Sequence, residues 1–138
     1  MVGHDLEGVT VLDAFGGSGL LGLEAWSRGA TVTVVERHPK AVATIRRNAE
    51  GLGAELTVVR ANVLTWAADS CFDVVLADPP YAMARDEVLR ALEPHVADRL
   101  VLEGDTSGAA ASVSGLVMLR ERCYGGTRLW LYGREETG

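Results

Sequence analysis

The stretch from residue 9 to residue 19 constrains this fold most, because an apolar run ends there in an acidic residue and then a glycine-rich bend. The branched apolar residues at 9–12 predict a short strand at the centre of a parallel sheet. Residues 20–28 then predict a helix, with Ser18 placed to cap its first turn and Gly29 to end it. Strand, glycine turn and helix in this order predict the opening half of a βαβ unit, a nucleotide-binding geometry.

The glycine loop itself, residues 17–22, fits the dinucleotide pattern G-x-G-x-x-G, which is a weak signal alone. A carboxylate at Asp13, just before the loop, would repel a pyrophosphate and attract the cationic nucleoside S-adenosylmethionine. Glycines that only let the helix pack closely on the sheet remain the alternative. The residues predicted to bind this cofactor here are Asp13, Phe15, Gly16, Gly17, Ser18 and Gly19.

A second strand is predicted at residues 31–35, which are rich in β-branched side chains, and Glu36 closes it. Glu36 stands 17 residues beyond Gly19, close to the offset at which an acid meets the ribose hydroxyls of a bound nucleoside. We therefore expect Glu36, with Arg37 beside it, to bind the cofactor. A strand-end carboxylate exposed to water is the alternative.

A helix that begins at Pro39 and a third strand at residues 55–59 follow. The loop after that strand contains Asn62 and Val63, which we expect at the same edge of the sheet as the other strand ends. Asn62 offers an amide to an adenine edge, and Val63 offers an apolar cover for the ring. Asparagine is also a common turn residue, so the two roles of Asn62 stay open.

A fourth strand at residues 72–77 is predicted to deliver Asp78-Pro79-Pro80-Tyr81 at its carboxyl end. Two successive prolines lack backbone donors and fix φ, so they hold the carbonyls of Asp78 and Pro79 in a rigid, outward-facing arrangement. An acid, rigid acceptors and an aromatic ring suit an amino group on a flat base: Asp78 and a carbonyl accept its hydrogens, and Tyr81 stacks. We therefore expect Asp78, Pro79, Pro80 and Tyr81 to form the catalytic group, with Asp78 also among the residues that bind the cofactor. A proline turn with Tyr81 in the core is the alternative.

The C-terminal part predicts a helix over 85–96, kinked near Pro94, and a strand over 99–103. A hairpin over 116–122 and 127–132 turns at Gly125-Gly126. Together these elements predict an α/β fold of Rossmann-like, doubly wound type, with a mostly parallel sheet and a C-terminal antiparallel hairpin.

Composition bounds the remaining properties. A chain of 138 residues with 48% hydrophobic and 23% charged residues is typical of a single globular domain, expected over residues 1–138. It has no run of apolar residues long enough for a membrane span and no signal-peptide pattern at its start, so we expect a cytoplasmic location without membrane contact. Cys71 and Cys123 lack metal or redox spacing and are expected to be reduced core residues, and the scattered histidines predict no metal site.

In this order, the glycine loop, Glu36 and Asp78-Pro79-Pro80-Tyr81 resemble the class I S-adenosylmethionine-dependent amino-methyltransferases. The run from Asp13 to Ala25 and the closing segment Tyr124–Tyr132 resemble more narrowly the RsmD-type enzymes, which methylate guanine N2 in small-subunit ribosomal RNA. The resemblance implies S-adenosylmethionine as cofactor and ribosomal RNA or the small ribosomal subunit as partner. The family also carries a basic segment and helix ahead of the first strand, and often an aspartate where this chain has Asn62.

The predicted reaction is direct transfer of a sulfonium methyl group to an exocyclic amine. Acceptors at Asp78 and Pro79 would hold the amine hydrogens and favour a pyramidal, nucleophilic nitrogen. Three other functions stay open: a DNA adenine-N6 or cytosine-N4 methyltransferase, a nicotinamide-dependent oxidoreductase, and a non-catalytic S-adenosylmethionine-binding core. The net charge of −6 does not favour nucleic acid, but arginines such as Arg46, Arg47, Arg120, Arg122 and Arg128 could form local patches.

Overall fold

The computed structural model describes residues 5–66, 70–80, 82–105 and 111–136. Within these ranges the strands and α-helices are, in chain order, β1 (Thr10–Asp13), α1 (Leu20–Ser27), β2 (Thr31–Glu36), α2 (Pro39–Leu52), β3 (Leu56–Arg60), β4 (Phe72–Ala77), α3 (Arg85–Leu92), β5 (Val96–Asp105), β6 (Leu116–Tyr124) and β7 (Thr127–Arg134). The strands form one sheet in the order β3-β2-β1-β4-β5-β7-β6. The first five of these are parallel, and β7 and β6 are antiparallel.

The sheet is covered by helices on both faces, which follows from the alternation of side chains along the central strand β1. Val11 packs with Ile45 of α2 in one buried cluster. Leu12, the next residue, packs with Leu89 of α3 in the other. The predicted doubly wound α/β architecture is therefore confirmed, including the antiparallel hairpin at its end.

The start of α1 differs from the prediction. Gly19 occupies the N-cap position with φ +84°, and no side chain caps the first turn, so the prediction that Ser18 caps this helix is wrong. A left-handed conformation at the cap favours glycine over any residue with a Cβ atom. The end is as predicted: the N–H of Gly29 donates to the carbonyl of Trp26.

The C-terminal part confirms the predicted break near Pro94. α3 ends at Leu92, and a 3₁₀ turn over Glu93–His95 leads into β5. The prediction for the cysteines is wrong in one respect, because Cys71 and Cys123 are free thiols but both are exposed rather than in the core. No helix within the described ranges is long and apolar enough to cross a membrane.

Candidate active site

Four neighbouring strands bring carboxylates to one edge of the sheet. Glu36 ends β2, Asp13 ends β1, Asp78 directly follows β4, and Glu103 lies near the end of β5. Because the four strands are parallel and adjacent, their carboxyl ends meet at the same edge. This edge is where ligands bind in open α/β sheets, so the sequence and the topology point to the same place.

Glu36 holds the glycine loop against the sheet. One of its carboxylate oxygens accepts the backbone N–H of Gly17 and the other accepts the N–H of His38, both at 2.8 Å. The residue is 8% exposed. A carboxylate has about four acceptor sites, so these two bonds leave others for ribose hydroxyls. The ribose contact stays a prediction, and the loop contact is a second role that the spacing did not reveal.

Asp13 is buried behind the same loop, at 2% exposure. Its carboxylate accepts the backbone N–H of Gly22 at 3.2 Å. Burial raises the pKa of Asp13 to about 7, although hydrogen bonds from the backbone of Gly22 and Phe15 oppose this. The carboxylate faces the loop backbone, so its contact with a cofactor also stays a prediction.

A cleft of about 400 Å³ opens between the glycine loop and the turn after β4. It brings together predicted residues from three separate parts of the chain, and its volume lies within the range of roughly 300–1,000 Å³ typical of small-molecule sites. Its lining residues are Phe15, Gly17, Glu36, Arg37, His38, Asp78, Pro79, Pro80 and Met83.

Three of the predicted loop residues do not line this cleft. A Cβ atom on Gly16 would lie 2.6 Å from Val34 Cγ1, so this glycine lets the loop approach β2, which is the packing role considered as the alternative. Gly19 is likewise buried against Ile45. Ser18 is exposed, and its carbonyl accepts a hydrogen bond from the Asn48 amide at 3.2 Å.

Asn62 and Val63 border a small adjoining recess of about 20 Å³, which also contacts Phe15, Glu36 and Arg37. The side-chain oxygen of Asn62 accepts the N–H of Leu64 at 3.1 Å, which is the turn role expected of an asparagine in a loop. Its amide nitrogen has no partner among the described residues and remains able to donate. The predicted contacts with adenine are therefore compatible with this loop.

The turn after β4 lines the cleft with Asp78, Pro79 and Pro80. The carbonyl of Pro80 accepts the N–H of Met83 at 3.0 Å, which closes the turn. The side chain of Asp78 is without a hydrogen bond or ion pair in the described ranges. Partial burial raises the pKa of Asp78 above its ordinary value, although the residue as a whole is exposed. Tyr81 lies outside the described residues.

Sequence reasoning missed His38, Met83 and Glu103. His38 reaches the cleft because its backbone binds Glu36, and Met83 because the proline turn folds back. Glu103 is near Asp78 through the pairing of β4 with β5. The only sequence signal for Glu103 is its place near the carboxyl end of an apolar strand, since strand order is not written in the sequence.

Comparison with known proteins identifies the family. The model of the family described as "Conserved hypothetical protein 95" matches residues 1–133. The chain belongs to this family. A candidate rRNA methyltransferase, YlbH of Bacillus subtilis (strain 168), is 32% identical over an alignment that covers 96% of this chain and 79% of YlbH. Family membership excludes the nicotinamide-dependent oxidoreductase, because the family is one of S-adenosylmethionine-dependent, RsmD-like class I methyltransferases.

Two further relatives agree with that assignment. Ribosomal RNA small subunit methyltransferase D of Buchnera aphidicola subsp. Acyrthosiphon pisum is 37% identical over 75 residues, covering 51% of this chain and 39% of that protein. The structure of a candidate methyltransferase, yhhF of Escherichia coli, superimposes with a TM-score of 0.84 at 29% identity, covering 95% of this chain and 79% of that one. The chain spans less than half the length of the first two curated relatives that it matches.

Proposed function

We propose that this chain transfers the methyl group of S-adenosylmethionine to the exocyclic N2 amine of a guanine in small-subunit ribosomal RNA. The observation that carries the proposal is one cleft that joins Gly17 and Glu36 to Asp78 and Pro79. The first pair comes from the predicted cofactor group and the second from the predicted catalytic group. Their common cleft supports a site in which a cofactor and an acceptor amine meet.

The charges of the cleft fit the cofactor. Glu36 and Asp78 line it, and Asp13 lies just behind it. A dinucleotide pyrophosphate would be repelled by the carboxylates of Glu36 and Asp78, whereas the positive sulfonium and ammonium groups of S-adenosylmethionine would be attracted. The cofactor supplies an electrophilic methyl group. We propose that Phe15, Gly17, Glu36 and Arg37 contact it directly, with Asn62 and Val63 at the base and Asp13, Gly16, Ser18 and Gly19 shaping the loop.

The turn after β4 would position the acceptor. The Asp78 carboxylate and the Pro79 carbonyl would accept the two hydrogens of the amine, so its lone pair turns toward the cofactor. As the N–C bond forms and the S–C bond of the sulfonium breaks, the amine would lose one proton, which the Asp78 carboxylate is placed to accept. Pro79 and Pro80 lack N–H groups, so no ladder hydrogen bond ties this turn to a neighbouring strand. Tyr81 would stack on the base. Orientation of this kind supplies up to about 7–11 kcal/mol in favourable reactions.

The RNA substrate is supported by the names of the RsmD and YlbH relatives. The basic surface of the described residues is divided: Arg46 and Arg47 are exposed on α2, while Arg120 and Arg122 are exposed on β6 at the far edge of the sheet. Because these patches are separate, they would make local contacts with RNA phosphates and would not form one continuous basic groove.

The test is to incubate the protein with S-adenosylmethionine carrying a labelled methyl group and three acceptors. These are small ribosomal subunits from cells that lack the modification, the naked RNA of that subunit, and duplex DNA. We expect label at guanine N2 of one RNA position, identified by mass spectrometry of nucleosides. Label in DNA alone would instead indicate an adenine-N6 or cytosine-N4 methyltransferase. Cofactor binding by calorimetry without label in any acceptor would indicate a non-catalytic binding core.

A further inference from the structure

A second cleft, of about 420 Å³, lies beside the first at the same edge of the sheet. Its walls are mainly apolar and come from α1 and from strands β4, β5, β6 and β7. They include Leu21, Leu76, Val101 and Leu129, together with two residues that can contact a base, Glu103 and Tyr124. None of the described residues assigned to the cofactor or to the acceptor amine lines this cleft.

The pairing of β4 with β5 places Glu103 next to Asp78. Ala77 pairs with Leu102 in parallel register, so the following residues, Asp78 and Glu103, extend from neighbouring strands at the same height. Adjacent strands lie about 4.8 Å apart. Leu102 points into the buried core, so Glu103, like Val101, faces the opposite side, where both line the second cleft. The second cleft therefore begins where the predicted methyl acceptor is held.

The Glu103 carboxylate can accept hydrogen bonds but has no donor among the residues that the structure describes. No hydrogen bond or ion pair engages its carboxylate within the described ranges, and it is only partly exposed among apolar side chains. Burial and the nearby charge of Asp78 both raise the pKa of Glu103. A partly buried carboxylate has lost part of its hydration, and a ligand that donates a hydrogen bond compensates for this loss. The chemistry of this cleft thus favours a flat, largely apolar ligand whose edge carries an N–H group.

We propose that Glu103 selects guanine by accepting the N1–H of the acceptor base, which rests on the proposed function. In guanine, N1–H is adjacent to the N2 amine, so a base whose N2 lies at Asp78 would direct N1–H toward the neighbouring strand. Adenine has a lone pair at N1 instead and would be repelled by the carboxylate. The exposed ring of Tyr124 at the same cleft offers a face for the base.

The test uses two RNA acceptors that differ only at the methylated position, one with guanine and one with 2-aminopurine. The second base keeps the 2-amine but has no N1–H. We compare wild type, Glu103→Gln, and a matched control, Glu50→Gln, on the exposed side of α2. We expect Glu103→Gln to lose about 10- to 100-fold in kcat/KM on guanine, because a charge-assisted hydrogen bond is lost. On 2-aminopurine it should lose less than about threefold, and Glu50→Gln should match wild type on both.

Binding gives a second readout that needs no turnover. The fluorescence of 2-aminopurine rises when the base leaves its stack, so it reports binding of the RNA that contains this base. Titrating that RNA with protein in the presence of S-adenosylhomocysteine should give the same RNA affinity for wild type and Glu103→Gln. If Glu103→Gln fails to fold, Glu103→Asp, which keeps the charge but shortens the reach, takes its place with the same expectation.

The outcomes separate the two proposals. Equal losses on both bases, or no loss on guanine, would overturn the role of Glu103 while guanine methylation by wild type leaves the proposed function intact. Absence of label at guanine for wild type would overturn the proposed function, and this inference with it.

Discussion

The four carboxylates at the edge of the sheet form two unlike pairs. Glu36 and Asp13 belong to the N-terminal half and accept backbone N–H groups of the glycine loop and the residues beside it. Asp78 and Glu103 belong to the following half and lack hydrogen-bonding partners among the described residues. The first pair holds a loop in place before any ligand binds, whereas the second pair keeps its acceptors for a ligand.

This difference indicates which pair contributes to cofactor binding and which pair contributes to the choice of the base. A loop fixed by its own hydrogen bonds is preorganised, so a ligand there does not have to order it. Carboxylates left without donors gain most when a matching ligand arrives, because their desolvation is then compensated. We therefore expect substitutions in the first pair to affect stability and cofactor affinity, and those in the second pair to affect transfer and base choice.

The largest expected effect is that of Asp78→Ala on transfer. Removing one positioned hydrogen-bonding group from an active site lowers the rate by about 10²–10³-fold. We expect a loss of this size in single-turnover methyl transfer, with cofactor binding retained by calorimetry and weakened only by the loss of one charge from the cleft wall. The matched control is Asp98→Ala, at an exposed position on β5. Turnover by Asp78→Ala within threefold of wild type would remove this carboxylate from the chemistry.

A pH effect on stability should come next, from Asp13. Its folded pKa of about 7 lies above the ordinary value of 3.8, so the folded chain holds a proton that the unfolded chain releases. The contribution of Asp13 to the free energy of unfolding is therefore largest below about pH 4 and decreases until about pH 7, by about 2–4 kcal/mol. Urea unfolding of Asp13→Asn at pH 5 and pH 8 should show a smaller decrease than wild type. The same decrease in both proteins would contradict the assignment.

A smaller loss is expected for Glu36. Glu36→Ala removes two hydrogen bonds to a charged acceptor and, with them, the hold on Gly17. We expect S-adenosylmethionine affinity by calorimetry to fall about 10- to 50-fold. The affinity of Glu36→Gln should lie between those of this variant and wild type, because the amide has one acceptor oxygen instead of two. Glu50→Gln serves as the control. An unchanged affinity in Glu36→Ala would show that the loop is ordered without this carboxylate.

The smallest effect should separate two glycines. Gly19 has φ +84° and little room beside Ile45, so Gly19→Ala should lower the free energy of unfolding by about 1–2 kcal/mol. Gly51 lies inside α2 with open space around it, so Gly51→Ala should raise it by about 0.5–1 kcal/mol. Thermal or urea unfolding measures both. If both variants changed the free energy of unfolding in the same direction, the left-handed conformation at Gly19 would not explain the effect of its substitution.

Much of the fold was predictable because its signals are local. The β-branched residues of β2 and the glycines between β6 and β7 specify a strand and a turn wherever they occur. The errors arose where residue propensity alone does not decide the outcome. Ser18 has a suitable capping side chain, but the chain turns at Gly19 instead, and Cys71 is exposed because of where its loop lies.

The candidate site divides in the same way. Sequence spacing correctly placed Glu36 and Asp78 at strand ends, since a strand end and a proline pair are readable in order, and their roles as site residues stay predictions. It did not show that Glu36 binds Gly17, that Asp13 is buried, or that Glu103 lies beside Asp78.

By itself the sequence determined which strands and turns form and which acids end the strands, because backbone preferences act over a few residues. Only the tertiary structure decided which carboxylates meet donors and which do not. The order β2-β1-β4-β5 joins residues distant in the chain, and the donors, walls and charges around each carboxylate come from those neighbours. Hydrogen bonding and desolvation act through space, so they are settled only when the sheet has assembled.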